Sequence, residues 1–181
     1  MLSLINMVSH RLYELKEYDF DWKKRFLDVA EILKSIFGAN LIEIEHIGST
    51  SIEGMVAKPQ IDVLVVVKNL DTIKECYGAF IEAGYVPRGR GYTNENDEYF
   101  TEDSLDGNRL TSIHTLQEGN PMIEDYKIFR EYLKINDKDR KLYISTKRNL
   151  YSSYYNNYAE YYKGKINTIN LILARARRWA K

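Results

Sequence analysis

A short loop between two apolar runs carries four consecutive residues suited to holding a phosphate group: Gly48, Ser49, Thr50 and Ser51. A glycine lets the backbone come close to a ligand, and hydroxyls and turn amides can hydrogen-bond phosphate oxygens. Asp62 follows at the start of the next apolar run, and its carboxylate is a hard oxygen ligand of the kind that Mg²⁺ prefers. This order of residues predicts a phosphate-binding turn beside a metal-binding acid.

Asp62 and Lys58 each have a structural interpretation as well. An acid at the start of a buried strand is costly unless it is paired or bound to a metal. The carboxylate of Asp62 could instead accept hydrogen bonds from the turn at residues 49–51. Lys58, in the same loop, is placed to meet a phosphate as a point charge, or is an ordinary surface lysine. The sequence leaves both alternatives open.

Further candidates lie on or beside the predicted strands. On a strand covering residues 109–116, His114 could ligate a metal, act as a base near neutral pH, or serve as a hydrogen-bonded structural residue. His46 lies two residues before Gly48 and is expected to orient the glycine-serine turn. Arg88 and Arg109 are candidates for an anion clamp, because a guanidinium group suits bidentate binding of phosphate.

The pattern of apolar residues predicts an α+β chain in which strands give way to helices near residues 119–121. Asp19 or Asp21 and Asp71 are predicted to begin two helices, which end near Gly38 and Gly84. The predicted strands cover residues 41–47, 61–67, 98–101 and 109–116. The second is apolar throughout and therefore reads as a central strand. The predicted C-terminal helices cover residues 122–135, 138–149 or beyond, and 160–179.

Composition limits the classes of partner. The 181 residues include 26 Lys plus Arg and 26 Asp plus Glu, so the formal net charge is zero. A protein that grips long nucleic acid through its phosphates needs an excess of positive charge, which argues against such a partner. The single cysteine gives no intramolecular disulfide, and the N-terminal residues are too polar for a spanning helix. We therefore expect a cytoplasmic protein with no membrane partner.

Tyrosine is unusually frequent, with 15 residues in the chain, and six of them fall between Tyr151 and Tyr162. An aromatic and basic surface can stack nucleobases or bind a protein partner. Tyrosines at helical spacing more often pack one flank of a helix and keep their hydroxyls in water. We favour the packing interpretation and keep an interaction surface as the weaker alternative.

The run EHIGSTSIEGMVAKPQIDVLVVV, which contains the loop and Asp62, resembles the signature of the GrpB family, small bacterial proteins placed in the nucleotidyltransferase superfamily. Further matches follow in order: GYVPRG, SIHTL, FREYLK and YYKGKINTI. Together they extend from about residue 19 to the C-terminus. The central run is specific, because it fixes small, charged, proline and apolar residues in one order.

The resemblance implies a polymerase-β-like fold within one domain covering residues 1–181. This fold has a mixed β-sheet core with flanking helices and a helical C-terminal portion from about residue 120. It implies that Gly48 and Ser49 hold a nucleoside triphosphate (NTP) and that Asp62 binds Mg²⁺. Lys165, in the matched YKGK segment, is expected to close over the ligand.

One residue departs from the superfamily pattern, which usually has a second acid where this chain has Leu64. One aspartate does not hold the two metal ions of phosphoryl transfer. We therefore expect either a metal-dependent nucleotidyltransferase acting on a small acceptor or a non-catalytic module that binds a nucleotide or phosphometabolite. A further acid beside Asp62 would favour the enzyme; the candidates are Asp97, Glu98 and Glu102.

Overall fold

The computed structural model describes residues 13–93 and 96–181, and it is α+β. The helices, other than short 3₁₀ turns, are α1 (Asp21–Phe37), α2 (Tyr77–Glu82), α3 (Pro121–Ile135), α4 (Asp137–Tyr154) and α5 (Tyr158–Trp179). The strands are β1 (Leu41–Ile47), β2 (Ile61–Val67), β3 (Val86–Arg90), β4 (Glu98–Asp103) and β5 (Arg109–Gln117). In the part of the chain described, no helix combines the length and apolar character needed to cross a membrane.

The five strands form one mixed sheet in the order β1-β2-β5-β4-β3. The central pair, β2 and β5, is parallel, and the other neighbouring pairs are antiparallel. Asp62 is in register with Ser112, and Leu64 with His114. Since residues two apart share a face of a strand, the sheet places Asp62, Ser112 and His114 on one face.

The opposite face of the sheet is closed by α1 and α2. Val63 and Val65 of β2 and Ile113 of β5 are fully buried in this main core, together with Trp22 of α1 and Phe80 of α2. The Phe80 and Phe100 rings stack with centroids 3.8 Å apart. Such continuous apolar packing is typical of a sheet face whose task is stability.

The helices α3, α4 and α5 cover the other face of the sheet and the loop between β1 and β2. Ile52 and Met55 of that loop are buried among Leu133 of α3, Tyr143 of α4 and Ile172 of α5. Gly164 brings α5 close to α4, because a Cβ at this position would lie 3.0 Å from Leu150 Cδ1. The loop that carries the candidate phosphate-binding residues is therefore held by three helices.

The structure confirms the α+β fold, the first two strands at residues 41–47 and 61–67, and the change from strands to helices at Pro121. The prediction that Asp71 begins a helix is wrong, since a 3₁₀ turn at Ile73–Cys76 precedes α2, which begins at Tyr77. The backbone NH of Asp71 donates to Asn69 Oδ1, so Asn69 organises this turn. Residues 86–90, which are not among the predicted strands, form the edge strand β3.

Candidate functional site

A cavity of about 480 Å³ lies between the polar face of the sheet and helices α3–α5. Most of the predicted site residues open onto it, and aromatic side chains from the helices form much of its wall. The lining includes Gly48, Ser49, Thr50, Lys58, Gln60, Asp62, His114, Tyr126, Tyr143, Lys147, Tyr158, Tyr161, Tyr162 and Lys165. The structure thus brings the candidate phosphate-binding turn, Asp62, His114 and Lys165 to one cavity.

Gly48 is required where the first strand turns toward the cavity. Its φ of 71° lies in the left-handed region that favours glycine. A Cβ at this position would lie 3.0 Å from Asp62 Cβ and would collide with the carboxylate. The glycine therefore serves two purposes, since it allows the turn and it leaves room for Asp62 at the cavity.

Gln60 connects the residues around Asp62. Its side-chain amide donates hydrogen bonds to the Asp62 carboxylate and to Ser112 Oγ, the latter over 3.0 Å. Its oxygen accepts a bond from Lys58 Nζ over 3.2 Å. Glutamine can make all three bonds because its side chain carries both donors and acceptors. Gln60 was not predicted as a site residue, and its place two residues before Asp62 was the only signal.

The hydroxyls of the turn bond partners other than Asp62. Ser51 Oγ donates to Gly48 O over 2.6 Å, and Thr50 Oγ1 donates to Gln60 O over 3.1 Å. Ser49 Oγ accepts a bond from Lys147. The alternative in which Asp62 caps this turn is therefore not what the structure shows.

Lys147 is the main site residue that sequence reasoning missed. It is 2% exposed, and its Nζ donates to Ser49 Oγ over 3.0 Å and to Val56 O. The ammonium lies 4.5 Å from the centre of the Tyr143 ring. Burial, together with Lys165 and Lys58, holds the pKa of Lys147 well below its usual value. The available signal was its place four residues after Tyr143, which puts a charge on a buried helix stripe.

Lys58 and Lys165 complete a group of three lysines at the cavity. Lys58 Nζ donates to Tyr158 Oη over 2.9 Å, so this loop lysine reaches across to α5. Lys165 Nζ lies 4.9 Å from the centre of the Tyr161 ring. Three amines thus converge on one cavity, although the whole chain has no net charge.

His114 is held by a buried acid. Its Nδ1 lies 3.3 Å from Asp97 Oδ2, and the Asp97 side chain is fully buried whereas that of His114 is 15% exposed. The rings of Tyr99 and Tyr126 lie 4.9 and 5.5 Å from the imidazole centre. Burial, followed by the charges of Asp97 and Asp62, raises the pKa of Tyr126. His114 thus lines the cavity, and the acid that it contacts is buried behind it.

The acids proposed to lie beside Asp62 are placed elsewhere. Asp97 contacts His114, Glu98 accepts a hydrogen bond from Tyr77 on the opposite face, and Glu102 accepts one from Thr111 over 2.6 Å. Leu64 is fully buried against α3. Within residues 13–93 and 96–181, no three His, Cys, Asp or Glu side chains group as a metal site. Among the described residues, the acids that line the cavity are Asp62 and Asp125, and Asp125 pairs with Arg177 over 2.7 Å.

His46 contacts the turn, as the sequence predicts. Its Nε2 lies 3.0 Å from Thr50 Oγ1, and its ring stacks on Phe26 with centroids 4.8 Å apart. Burial lowers the pKa of His46 to about 4. A neutral ring that contacts α1 and the turn at the same time supports the turn without entering the cavity.

The two arginines differ in their relation to the cavity. Arg88 lies on the edge strand β3, where it donates to Thr101 over 2.9 Å and pairs with Asp103 over 2.8 Å, outside the cavity wall. Arg109 also pairs with Asp103, but it donates to Tyr99 Oη over 3.2 Å. Tyr99 in turn bonds Ser112 over 2.7 Å. Arg109 thus reaches Asp62 indirectly, through Tyr99, Ser112 and Gln60.

The mixed sheet, the glycine-serine turn and the cavity define a nucleotidyltransferase-like α+β protein. A crystal structure of a mutant Cid1 poly(U) polymerase bound to MgATP is similar, with a TM-score of 0.54 and 16% sequence identity. The match covers 84% of this chain and 46% of that chain. At this identity the likeness shows a shared fold.

The chain belongs to the GrpB family, because the model of that family, described as GrpB protein, matches residues 13–175. UPF0157 protein YqkA of Bacillus subtilis (strain 168) is 33% identical over 182 residues, which cover 100% of this chain and 52% of YqkA. The chain thus spans about half the length of that relative. The crystal structure of conserved protein GrpB from Enterococcus faecalis matches with a TM-score of 0.87 and 28% identity, covering 93% of this chain and 100% of that one.

Proposed function

We propose that the cavity binds a nucleoside triphosphate with one Mg²⁺ ion and transfers its nucleotidyl group to a small acceptor. The observation that carries this proposal is the buried bond between Lys147 and Ser49, which opens onto the same cavity as Asp62. A cation and a hydroxyl on one wall suit phosphate oxygens, and a carboxylate on the other suits a metal ion.

The phosphate chain lies against the turn at Gly48 and Ser49 and is met by Lys147. Lys58 and Lys165 are placed to neutralise the remaining phosphate charge as point charges. The aromatic wall supplied by α3 and α5 gives the nucleobase a surface to stack on. The cavity volume of about 480 Å³ falls within the range of roughly 300–1,000 Å³ that is usual for small-molecule sites.

The donor set around Asp62 fits one Mg²⁺ ion and does not fit two. Mg²⁺ is commonly held by one or two carboxylates together with substrate phosphates and water, which a single aspartate can satisfy. With Leu64 buried, there is no second carboxylate at the position from which a second ion would be held. When bound at Asp62, the ion would neutralise charge on the phosphate oxygens during transfer.

The small size of the acceptor follows from the charge balance of the chain, which does not suit long nucleic acid. The likeness to a polymerase that binds MgATP supports the nucleotide as donor. We also propose that the protein works in the cytoplasm, where its single cysteine stays reduced and nucleoside triphosphates are abundant.

A second candidate function is a non-catalytic module that binds the nucleotide alone. The observation that favours it is that Leu64 replaces a second acid beside Asp62, and that the described residues contain no group of three His, Cys, Asp or Glu side chains suited to a metal ion. The two functions share the nucleotide, so nucleotide binding tests both, and its dependence on Mg²⁺ and Asp62 separates them.

The test is a thermal shift with ATP, GTP, CTP and UTP, each with and without Mg²⁺, on the wild type and on Asp62→Ala. A ligand at a hundredfold excess over its dissociation constant stabilises the folded state by about 2.7 kcal/mol. Asp28→Ala, on the exposed side of α1, is the matched control. Stabilisation that needs both Mg²⁺ and Asp62 supports the enzyme, and stabilisation that needs neither supports the module. No stabilisation by any nucleotide contradicts both.

A further inference from the structure

Transfer of a nucleotidyl group to a hydroxyl releases a proton, and Asp62 is not arranged to take it. Its carboxylate accepts a bond from Gln60 and is the group assigned to the metal ion. The other candidate on the same face of the sheet is His114, whose strand position lies two residues beyond Ser112, the register partner of Asp62. Two strand residues span about 7 Å, which leaves room for an acceptor oxygen between the two side chains.

Asp97 determines which ring nitrogen of His114 carries the hydrogen. A carboxylate accepts hydrogen bonds and does not donate them, so its contact of 3.3 Å with Nδ1 favours the ring with hydrogen on Nδ1. The other nitrogen, Nε2, then keeps its lone pair. His114 lines the cavity, whereas Asp97 is fully buried behind it and also accepts a bond from Thr93 Oγ1. An acid behind an imidazole is the arrangement that orients a general base.

We propose that His114 Nε2 is the general base that deprotonates a hydroxyl-bearing acceptor, and that Asp97 is the residue that positions it. This inference rests on the proposed function. The acceptor oxygen attacks the α-phosphorus with its lone pair, and a new P–O bond forms. The bond from the α-phosphorus to the bridging oxygen breaks, pyrophosphate leaves with that electron pair, and the hydroxyl proton moves to Nε2. Nucleotidylated acceptor and pyrophosphate are the products, and His114 returns its proton to water.

The groups that face His114 suit a neutral acceptor. Asp97 precedes β4, Tyr99 lies on β4, Tyr126 comes from α3, and Asp62 lies on the neighbouring strand. Two carboxylates stabilise the imidazolium that forms when the proton arrives. The same carboxylates repel an acceptor that is already negative, so a hydroxyl group fits this wall better than a carboxylate or a phosphate.

The first test uses the ring nitrogens of histidine as a spectroscopic signature, and it needs no nucleotide. The chain has three histidines, so the NMR signals of His114 are assigned by their loss in His114→Gln. The neutral ring should carry its hydrogen on Nδ1 in the wild type, and Asp97→Asn should weaken that preference. The exposed substitution Asp71→Asn should leave it unchanged. A wild-type ring with hydrogen on Nε2 overturns the positioning role.

The second test uses water as the acceptor, since water is the smallest hydroxyl nucleophile. Wild-type protein is incubated with Mg²⁺ and the nucleotide that binds most tightly, and release of nucleoside monophosphate and pyrophosphate is measured against pH. A general base contributes about 10²- to 10⁴-fold, so His114→Gln should lower the rate by that factor and remove the rise of rate with pH. Asp97→Asn should lower the rate in the same direction, and both variants should keep the wild-type affinity for nucleotide.

The outcomes separate this inference from the function on which it rests. If nucleotide binds tightly and neither variant changes the hydrolysis rate, His114 is not the general base, and the proposed nucleotide site still stands. Tight binding with no hydrolysis by the wild type also overturns the base and favours the non-catalytic module. If no nucleotide binds, the proposed function is wrong, and so is the assignment of His114 as its general base.

Discussion

The two faces of strands β2 and β5 are built from alternate residues of the same segments and do different work. Toward α1 and α2 they present Val63, Val65 and Ile113, all fully buried in the main core. Toward α3–α5 they present Asp62 and His114, which open onto the cavity. Because successive side chains of a strand point to opposite faces, alternate residues of β2 and β5 pack in the core on one face and line the cavity on the other.

The covering helices explain why one face is closed and the other is open. Helices α1 and α2 pack large apolar side chains such as Trp22 and Phe80 directly on the sheet. Helices α4 and α5 instead contribute lysines and tyrosines, among them Lys147 and Tyr161, around a cavity. Substitutions on the closed face should therefore change the free energy of unfolding, and those on the open face should change nucleotide affinity or, at His114, the rate of reaction.

The largest expected effect is the loss in free energy of unfolding caused by Ile113→Ala. Its matched partner on the open face is Ser112→Ala. Removing a buried isoleucine side chain costs about 2–5 kcal/mol. Ser112→Ala removes hydrogen bonds worth about 0.5–1.5 kcal/mol each and releases Gln60 from one anchor. Urea unfolding should rank Ile113→Ala as the less stable variant, and nucleotide titration should rank Ser112→Ala as the weaker binder. The reverse ranking in both would break the comparison.

The next largest effect is expected at Gly48, with Gly54→Ala in the same loop as control. Both glycines have φ near 70°, so alanine at either costs about 1–2 kcal/mol of backbone strain. A Cβ meets the Asp62 side chain at Gly48 and nothing within 4 Å at Gly54. We expect a lower melting temperature in both variants, with the larger loss in Gly48→Ala because of this collision, and a loss of Mg²⁺-dependent nucleotide binding in Gly48→Ala alone. Equal loss of binding in both would mean that displacing Asp62 is not the cause.

Much of the fold could be predicted because local rules agree with tertiary packing. The valine-rich run at residues 61–67 is a central strand, and the glycine-serine turn directs the chain toward the cavity as its composition predicts. The error at Asp71 arose because Asn69, two residues earlier, satisfies the local backbone instead. A side-chain competitor of this kind is visible only when the bond itself is seen.

The site was predicted less completely, since its contacts join distant segments. Lys147 reaches Ser49 across 98 positions, and Lys58 reaches Tyr158 across 100. Gln60 is a site residue because of what surrounds it, and no residue-type rule singles out a glutamine. Asp97 is a candidate acid for the place beside Asp62, and only the contact with His114 Nδ1 shows that it lies behind His114.

A smaller effect is expected on the pH dependence of nucleotide affinity, because Lys147 takes up a proton when nucleotide binds. Its pKa is lowered in the free protein by burial and by Lys165 and Lys58, and a bound polyphosphate favours the charged amine and raises that pKa. Between the two pKa values, binding takes up a proton, so affinity falls as pH rises, by at most about tenfold per pH unit.

Calorimetry in HEPES and in Tris measures this uptake, at pH values above the titration of the nucleotide itself. The binding enthalpies in the two buffers should differ for the wild type and agree for Lys147→Met. Affinity that stays flat or rises with pH in the wild type would refute proton uptake at this lysine.

The smallest effect on nucleotide affinity is expected from substitution of Arg88, which is compared with Arg109. Arg88 lies outside the cavity, and its partly exposed pair with Asp103 is worth about 0–1 kcal/mol. Arg88→Ala should leave nucleotide affinity within about twofold of the wild type, whereas Arg109→Ala should weaken it more because Arg109 supports Tyr99 and, through it, Ser112. A larger loss of affinity in Arg88→Ala would mean that the edge strand takes part in binding.

The most direct test of the open face as a nucleotide site is calorimetric titration of MgATP, MgGTP, MgCTP and MgUTP into three proteins: wild type, Lys147→Met and Lys163→Met. Lys163 is the matched lysine on the exposed surface of α5, where it pairs with Glu160. Hydrogen bonds to charged groups contribute about 1.5–3 kcal/mol, so Lys147→Met should bind about 10- to 100-fold more weakly, while Lys163→Met keeps the wild-type affinity. Absence of binding to all four nucleotides, or equal affinity in the three proteins, would contradict the account.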